Sequence, residues 1–196
     1  MTSRVIKDPK VRKQEIIDTA MSLFSEKGYD STSIADIARA MHVVPGLCYR
    51  YFSSKQEIFD AAVKQYAKES CQDFLEVIQE TKMPIKERIH HLMMLMLNKE
   101  DKSKYHDFYH STGNQTFHFQ LSLEMLDFVA PFISNEFERL NMQGEMQIDD
   151  AEAMTKFILY GILSLWIDSS IELSKDQLQK KLEQIEQYIY KLLNIE

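Results

Sequence analysis

The chain has 196 residues, of which 44% are hydrophobic and only nine are Gly or Pro, so it can bury a sizeable core and favours long helices over a turn-rich β fold. No run of the sequence reaches 18 apolar residues, so we expect no membrane partner. The N-terminus is charged and lacks a hydrophobic core, so we expect no secretory signal. Cys48 and Cys71 form no disulfide or metal motif. We therefore expect a reducing, cytoplasmic location, no bound metal and no cofactor.

The net charge of −7 is unevenly distributed along the chain. Residues 1–55 contain nine Lys or Arg and six Asp or Glu, a net charge of +3. The remaining 141 residues contain 14 basic and 24 acidic residues, a net charge of −10. A basic end on an acidic body is expected of a protein that contacts nucleic acid with one end only.

The stretch from Thr32 to Lys55 predicts two short helices joined by a tight connection, with a further helix starting just after it, and this outlines a helix-turn-helix. A helix from about Lys10 to Lys27 ends at Gly28, the usual C′ residue. Ser33, with Asp36 three residues later, forms the capping box of a second helix. Pro45 suits the first position of a third helix. In such a motif the last helix lies in the major groove of DNA.

The stretch from about Val11 to Phe59 resembles the DNA-binding domain of the tetracycline-repressor (TetR) family. The resemblance rests on Phe24, Gly28-Tyr29, Thr32-Ser33, Asp36-Ile37-Ala38 and Tyr49-x-Tyr51-Phe52-x-x-Lys55. It implies that DNA is touched by Thr32, Ser33, Tyr49, Tyr51 and Lys55. The exposed start of the recognition helix adds Val44, Pro45, Gly46, Leu47 and Arg50 as candidate base-reading residues. The family usually has a hydroxyl and often a cation at this start, where the present chain is apolar.

The rest of the chain predicts further helices, to a total of about nine in an all-α fold. They run from Ser53 or Ser54 to about Thr81, from Pro84 to about Asn98, over a short segment ending near Ser111, from Gln115 to Met142, from Asp149 or Asp150 to about Leu173, and from Ser174 onward. We predict a DNA-binding domain over residues 1–55, and a ligand-binding and dimerisation domain over residues 56–196.

The last two helices predict a homodimer. The final helix repeats apolar residues in steps of four and three, and the helix before it is apolar nearly all round. A four-helix interface across a twofold axis would bury both, although the stripe could instead dock on the chain's own body. The predicted interface residues are Phe157, Ile158, Gly161, Ile162, Leu165, Trp166, Leu178, Leu182, Ile185, Ile189 and Leu192.

Residues 83–128 are rich in Met and aromatic side chains, which favours either an ordinary core or a pliable apolar cavity. We predict a cavity for a small lipophilic effector. Asp127 facing inward would select a cation, whereas facing water it leaves neutral and anionic ligands open. His106 and His110 are four residues apart, but we prefer a non-metal role for them. The predicted ligand-binding residues are Met93, Leu97, His110, Phe117, Leu123, Asp127, Tyr160 and Ser164.

The resemblance implies a dimeric, ligand-responsive transcriptional regulator, most simply a repressor that binds a palindromic DNA operator and is released by its effector. An activator of the same fold, or a regulator that recruits a partner protein, is the nearest alternative. A helical carrier or enzyme is a further one. The sequence contains no Gly-rich phosphate loop and no local nucleophile signature, so we expect no enzymatic activity.

Overall fold

The structure, a computed structural model, describes residues 7–98, Phe108, 115–167 and 173–195. These residues form helices and turns without a strand, which confirms the predicted all-α fold. None of the helices in these ranges is both long and apolar enough to cross a membrane. The described ranges contain nine helices: α1 Pro9–Lys27, α2 Ile34–Ala40, α3 Pro45–Tyr49, α4 Lys55–Ser70, α5 Gln72–Gln79, α6 Ile85–Asn98, α7 Gln115–Met142, α8 Ala151–Ile167 and α9 Lys175–Leu193.

Local sequence signals account for most helix starts. The Asp8 carboxylate caps α1, and Pro9 occupies its first turn. Ser33 and Ser174 each form a reciprocal capping box, with Asp36 at the start of α2 and with Gln177 at the start of α9. These caps satisfy backbone N–H groups that have no partner within the helix.

Four helices end on a residue with positive φ. Gly28 follows α1 at φ 86°, His42 follows α2 at 55°, Gly144 follows α7 at 73°, and Asn194 follows α9 at 52°. After α2, the N–H of Val43 returns to the carbonyl oxygen of Ala38 at 2.9 Å, which is the hydrogen bond of a Schellman motif. Such a left-handed residue costs little at glycine and more at histidine.

The helix predicted from Ser53 or Ser54 to Thr81 is wrong as a single element. It is divided at Cys71, whose backbone lies in the bridge region at φ −91° and ψ 2°. Cys71 is buried, and no Gly or Pro near it signals the break. The short helix predicted to end near Ser111 lies outside the described residues.

The backbone divides into two compact units. Unit 1 contains residues 7–66, Phe108 and 115–121, and unit 2 contains residues 67–98, 122–167 and 173–195. The domain division predicted after residue 55 remains a prediction. The core of unit 1 is built from α1, α2, α3 and α4, and it includes an aromatic cluster of Phe24, Tyr29, Phe59, Phe108 and Phe117.

In unit 2, α6 packs against both α5 and α9. One core cluster joins Ile89 and Met93 of α6 to Leu140 of α7 and to the inner face of α9. A second cluster joins Cys71 and α5 to Val129 and Leu159. The buried residues of α9 are Leu182, Ile185, Glu186, Ile189, Tyr190 and Leu193.

Candidate nucleic-acid interface and ligand cavity

The helix-turn-helix of unit 1 is fixed by buried side chains on one face of each helix. Ile37 and Ala38 of α2 and Cys48 of α3 are fully buried, and Phe52 just beyond α3 is 1% exposed. Cys48 is thus a small core residue, and burial raises the pKa of its thiol. This anchoring leaves the opposite face of α3 free for an external surface.

The outward face of α3 contains the predicted base-reading residues. Val44 is 72% exposed and Tyr49 is 57% exposed, and Pro45, Gly46 and Arg50 are also exposed. A Cβ atom built on Gly46 would meet no atom of the chain within 4 Å. The neighbouring Leu47 and Tyr51 are half-buried. The structure therefore brings these residues together on and beside one short helix.

Two predicted phosphate-contacting hydroxyls are already used inside the chain. Thr32 is only 2% exposed, and its hydroxyl donates to the carbonyl oxygen of Gly28 at 2.9 Å. The Ser33 hydroxyl lies 2.5 Å from the Asp36 carboxylate and accepts from the Asp36 N–H at 3.2 Å. The Ser33 hydrogen bonds hold the pKa of Asp36 below its ordinary value. Thr32 and Ser33 therefore position the start of α2.

Lys55 at the start of α4 also has a partner within unit 1. Its Nζ donates to the carbonyl oxygen of Tyr29 at 2.6 Å and lies 4.1 Å from the centre of the Tyr29 ring. The Tyr29 hydroxyl in turn donates to Gln56 Oε1 at 2.7 Å. Burial, together with the negative charges of Asp60 and Asp30, raises the pKa of Tyr29. These bonds tie the loop between α1 and α2 to α4.

Unit 2 contains an apolar cavity of about 220 Å³. Helices α5 to α9 all contribute to its wall, and Met93, Met96 and Met125 supply adaptable side chains. An engineered cavity of about 150 Å³ already admits benzene, so this one is large enough for a small organic molecule. The other apolar lining residues are Cys71, Phe74, Ile78, Ile85, Ile89, Leu92, Leu126, Val129, Ile133, Phe137, Ile158, Leu159, Ile162, Ile189 and Leu193.

Of the eight residues predicted to bind an effector, Met93 lines this cavity. Leu97 and Leu123 are half-buried elsewhere, and Phe117 belongs to the aromatic cluster of unit 1. Three others are exposed on α7 and α8 and do not line the cavity: Asp127, Tyr160 and Ser164. Asp127 Oδ1 lies 3.5 Å from the Tyr160 hydroxyl. His110, like His106, lies outside the described residues.

The sequence reading missed the two charged residues in the cavity wall. Arg88 is 2% exposed and Glu136 is 8% exposed. Arg88 Nη2 lies 2.5 Å from Glu136 Oε1, and Arg88 Nη1 donates to the carbonyl oxygen of Ile78 at 2.9 Å. Arg139 also donates to both Glu136 oxygens, at 2.8 and 2.7 Å. A signal was available, because Arg88 falls on the apolar stripe of Ile85, Leu92 and Met96.

The Glu136 carboxylate stays ionised despite its burial. Burial alone would raise the pKa of Glu136, but the hydrogen bonds and positive charges of Arg139 and Arg88 outweigh it and lower that pKa. The cluster of one carboxylate and two guanidiniums therefore has a net charge of +1.

An exposed apolar groove runs between α8 and α9. Phe157 is 66% exposed, and Leu165 and Leu192 are each 42% exposed. Gly161 in the same groove is exposed, and a Cβ atom there would also meet nothing within 4 Å. Large exposed apolar patches usually mark an interaction site. Of the other predicted interface residues, the half-buried Ile158 and Ile162 and the buried Ile185 and Ile189 also line the groove.

The α9 stripe, predicted to face a partner, is turned inward over most of its length. Leu182 is fully buried, Ile185 is 3% exposed and Ile189 is 7% exposed, all within the core of unit 2. The reason is that α9 packs against α6, so the stripe docks on the chain's own body. Leu178 is half-buried against the same core, and the side chain of Trp166 lies outside the description.

Comparisons with known proteins identify the segment that contains the helix-turn-helix. Residues 16–62 match the family model described as "Bacterial regulatory proteins, tetR family". The biofilm operon icaADBC HTH-type negative transcriptional regulator IcaR of Staphylococcus aureus (strain Newman) is 42% identical over 66 residues, 34% of this chain and 33% of that protein. The HTH-type transcriptional regulator HbdR of Aromatoleum sp. (strain CIB) is 44% identical over 63 residues, 31% of this chain and 28% of that protein.

The fold is shared over nearly the whole chain with solved structures. A TetR-family transcriptional regulator from Pectobacterium atrosepticum has a TM-score of 0.64 at 16% identity, with 95% of this chain and 98% of that chain covered. Residues 16–62 therefore match the DNA-binding segment of the tetR family of bacterial regulatory proteins, and the solved structures show that the rest of the chain shares the fold. Its sequence match to the curated relatives spans about a third of their length.

Proposed function

We propose that this chain is a DNA-binding transcriptional repressor that binds a palindromic operator as a homodimer and is released by a small lipophilic effector. The observation that supports DNA binding is the outward face of α3. Cys48 anchors that helix in the core, while Val44, Tyr49 and Arg50 point away from it. The 42% identity with a negative regulator over 66 residues favours repression over activation.

The α8–α9 groove supports the homodimer. Two copies of a surface centred on Phe157, Gly161 and Leu165 could pack across a twofold axis, with the glycine allowing close approach. A symmetric dimer presents two recognition helices, and sequence-specific binding requires their separation to match two half-sites about one helical turn apart on the DNA.

The cavity of unit 2 supports control by an effector. A ligand that binds there shifts the DNA affinity only if it prefers one of two arrangements of the protein. Helices α4 and α7 each contribute residues to both units, so they are the elements on which such a preference would act.

In-vitro selection from random DNA tests the proposal and supplies the operator. Enrichment of an inverted repeat is the expected result, whereas no enrichment above background would reject sequence-specific binding. On a panel of single-base operator variants, Arg50→Ala should lose discrimination at one position by about 1–3 kcal/mol. Arg39→Ala, on α2 and paired with Asp36, serves as the matched control for loss of one exposed cation.

A further inference from the structure

The residue that precedes α3 is unusual for its position. Val44 is the N-cap of that helix, and its side chain makes no capping hydrogen bond. Serine, threonine, aspartate and asparagine are preferred there because their side-chain oxygens accept from the first N–H groups of the helix. Valine cannot supply that bond, so it makes the helix less stable than serine would. Residues that depart from a local rule in this way are expected at functional sites.

The backbone directs this side chain away from the core. Val44 has an extended backbone, at φ −80° and ψ 145°, so it does not follow the helical face of Cys48, four residues later. Cys48 is fully buried, whereas Val44 is 72% exposed. Pro45 and Gly46 are exposed as well, and a Cβ atom on Gly46 would meet no described atom of the chain within 4 Å. The chain therefore presents one apolar side chain with open space beside it.

An apolar side chain has one apolar partner among the base edges of the major groove, the C5-methyl group of thymine. Contact between the two removes both groups from water, which is favourable. The edges of guanine, adenine and cytosine present hydrogen-bonding groups in the same groove, and against Val44 these groups would lose water without gaining a partner. The side chain of Val44 therefore favours thymine over the other bases by two effects of the same sign.

The apolar surface around Val44 is too small for a protein partner. Exposed apolar patches that bind other proteins usually exceed a few hundred Å². Val44 and Pro45 are instead flanked in the chain by exposed residues with polar groups: His42 before them, and Tyr49 and Arg50 after them. Val44 also lies within residues 16–62, the segment that matches the model of bacterial regulatory proteins. A single methyl group on a base is an apolar partner of matching size.

We propose that the Val44 side chain contacts the C5-methyl group of one thymine in each half-site of the operator. This inference rests on the proposed binding of a palindromic operator by a homodimer, and it adds one base and the residue that selects it. Burial of one methyl group should change the affinity about fourfold. A twofold-symmetric complex makes the contact twice, so removal of both methyl groups should weaken binding by about fifteenfold.

Deoxyuridine substitution tests the methyl contact on the wild-type chain. Deoxyuridine lacks the C5-methyl group of thymine and keeps its hydrogen-bonding groups, so the substitution removes the contact alone. The thymines of the selected operator are replaced one symmetric pair at a time, and the affinity is measured at fixed salt. One pair should weaken binding by about fifteenfold. Binding within about twofold of the parent operator at every pair, or a selected half-site without thymine, would overturn the proposal.

Val44→Ser assigns the contact to its residue. Serine supplies the missing capping oxygen at an exposed position, so the free energy of unfolding should be at least that of the wild type. The variant should nevertheless bind the thymine and deoxyuridine operators within about twofold of each other. Val11→Ser makes the same change on α1, at a 51% exposed position, and should keep the wild-type difference. A difference that survives in Val44→Ser would show that another residue contacts the methyl group.

Failure of this inference is distinguishable from failure of the proposed function. Selection from random DNA that enriches no sequence would reject sequence-specific binding, and the thymine contact with it. An enriched inverted repeat whose deoxyuridine forms all bind as tightly as the parent would reject the thymine contact alone, and sequence-specific DNA binding would stand.

Discussion

Lys55 Nζ donates a 2.6 Å hydrogen bond to the carbonyl oxygen of Tyr29, twenty-six residues earlier, and lies over the face of the same residue's ring. The bond satisfies a carbonyl in the loop that follows α1, and it fixes that loop against the first turn of α4. A residue that the family resemblance assigns to DNA thus has a structural partner of its own.

Lys55→Ala should lower the free energy of unfolding by about 1 kcal/mol, the value of a half-exposed charged hydrogen bond together with its cation–π contact. Urea denaturation measures it, with Lys64→Ala on the exposed face of α4 as the control. If Lys55 also contacts phosphate, the slope of log affinity for DNA against log salt falls by roughly one unit. Unchanged stability would mean that the Tyr29 contacts contribute nothing in solution.

His42→Gly should stabilise unit 1. His42 is exposed, its φ of 55° lies in the left-handed region, and it forms the C′ residue after α2. Glycine adopts this conformation without strain, so the free energy of unfolding should rise by about 0.5–1 kcal/mol. His42→Ala, which keeps the Cβ, is the control and should give no gain. A loss of stability in the glycine variant would reveal a contribution of the imidazole.

Substitutions in the α8–α9 groove should affect dimerisation, whereas substitutions in the α9 core should affect stability. Phe157→Glu alters an exposed side chain, so it should leave the chain folded and convert a dimer into a monomer in sedimentation at micromolar concentration. Met142→Glu, at an 86% exposed position outside the groove, is the control and should remain dimeric. A dimeric Phe157→Glu variant would place the interface elsewhere.

Leu182→Ala instead tests the core assignment of α9. It should cost about 2–5 kcal/mol of unfolding free energy, the range for truncation of a fully buried leucine. An effect near zero would show that Leu182 is not enclosed by its own chain.

The contribution of Glu136 to stability should depend on pH. Its pKa is lower in the folded state than the ordinary 4.5, so its stabilising effect is present above that value and is lost as the pH falls through the folded pKa. Glu136→Gln leaves Arg88 without its ionic partner and should cost about 3 kcal/mol at neutral pH. The free energy of unfolding, measured in urea, should therefore differ less between this variant and the wild type as the pH falls to 4 or below. Glu152→Gln is the exposed control, and a pH-independent difference would contradict this origin.

The sequence predicts helix starts that are set by residues within one helical turn. It does not predict which element packs against each face of a helix. The capping residues Ser33 and Ser174 were found because they act on N–H groups three residues away. The break at Cys71 has no such signal, since no Gly or Pro accompanies it.

Long-range pairing limited the prediction of the ligand and dimer sites. The repeat in α9 defines its apolar face, but whether Leu182 meets its own chain or another depends on α6, far away in sequence. Arg88 and Glu136 are 48 positions apart and become a pair only in the folded unit. The outward orientation of Asp127 likewise depends on the rotation of α7, which composition does not specify.

The most direct test of DNA recognition by α3 is the affinity of Gly46→Trp for the selected operator. A Cβ atom at Gly46 would meet nothing within 4 Å in the free chain and the position is exposed, so the unfolding free energy should stay close to that of the wild type. On DNA the indole would occupy the space that the bases require, and affinity should fall by about a hundredfold or more. Gln147→Trp, an exposed position of unit 2, is the control and should bind as the wild type does. A folded Gly46→Trp variant with wild-type operator affinity would contradict the placement of α3 in the major groove.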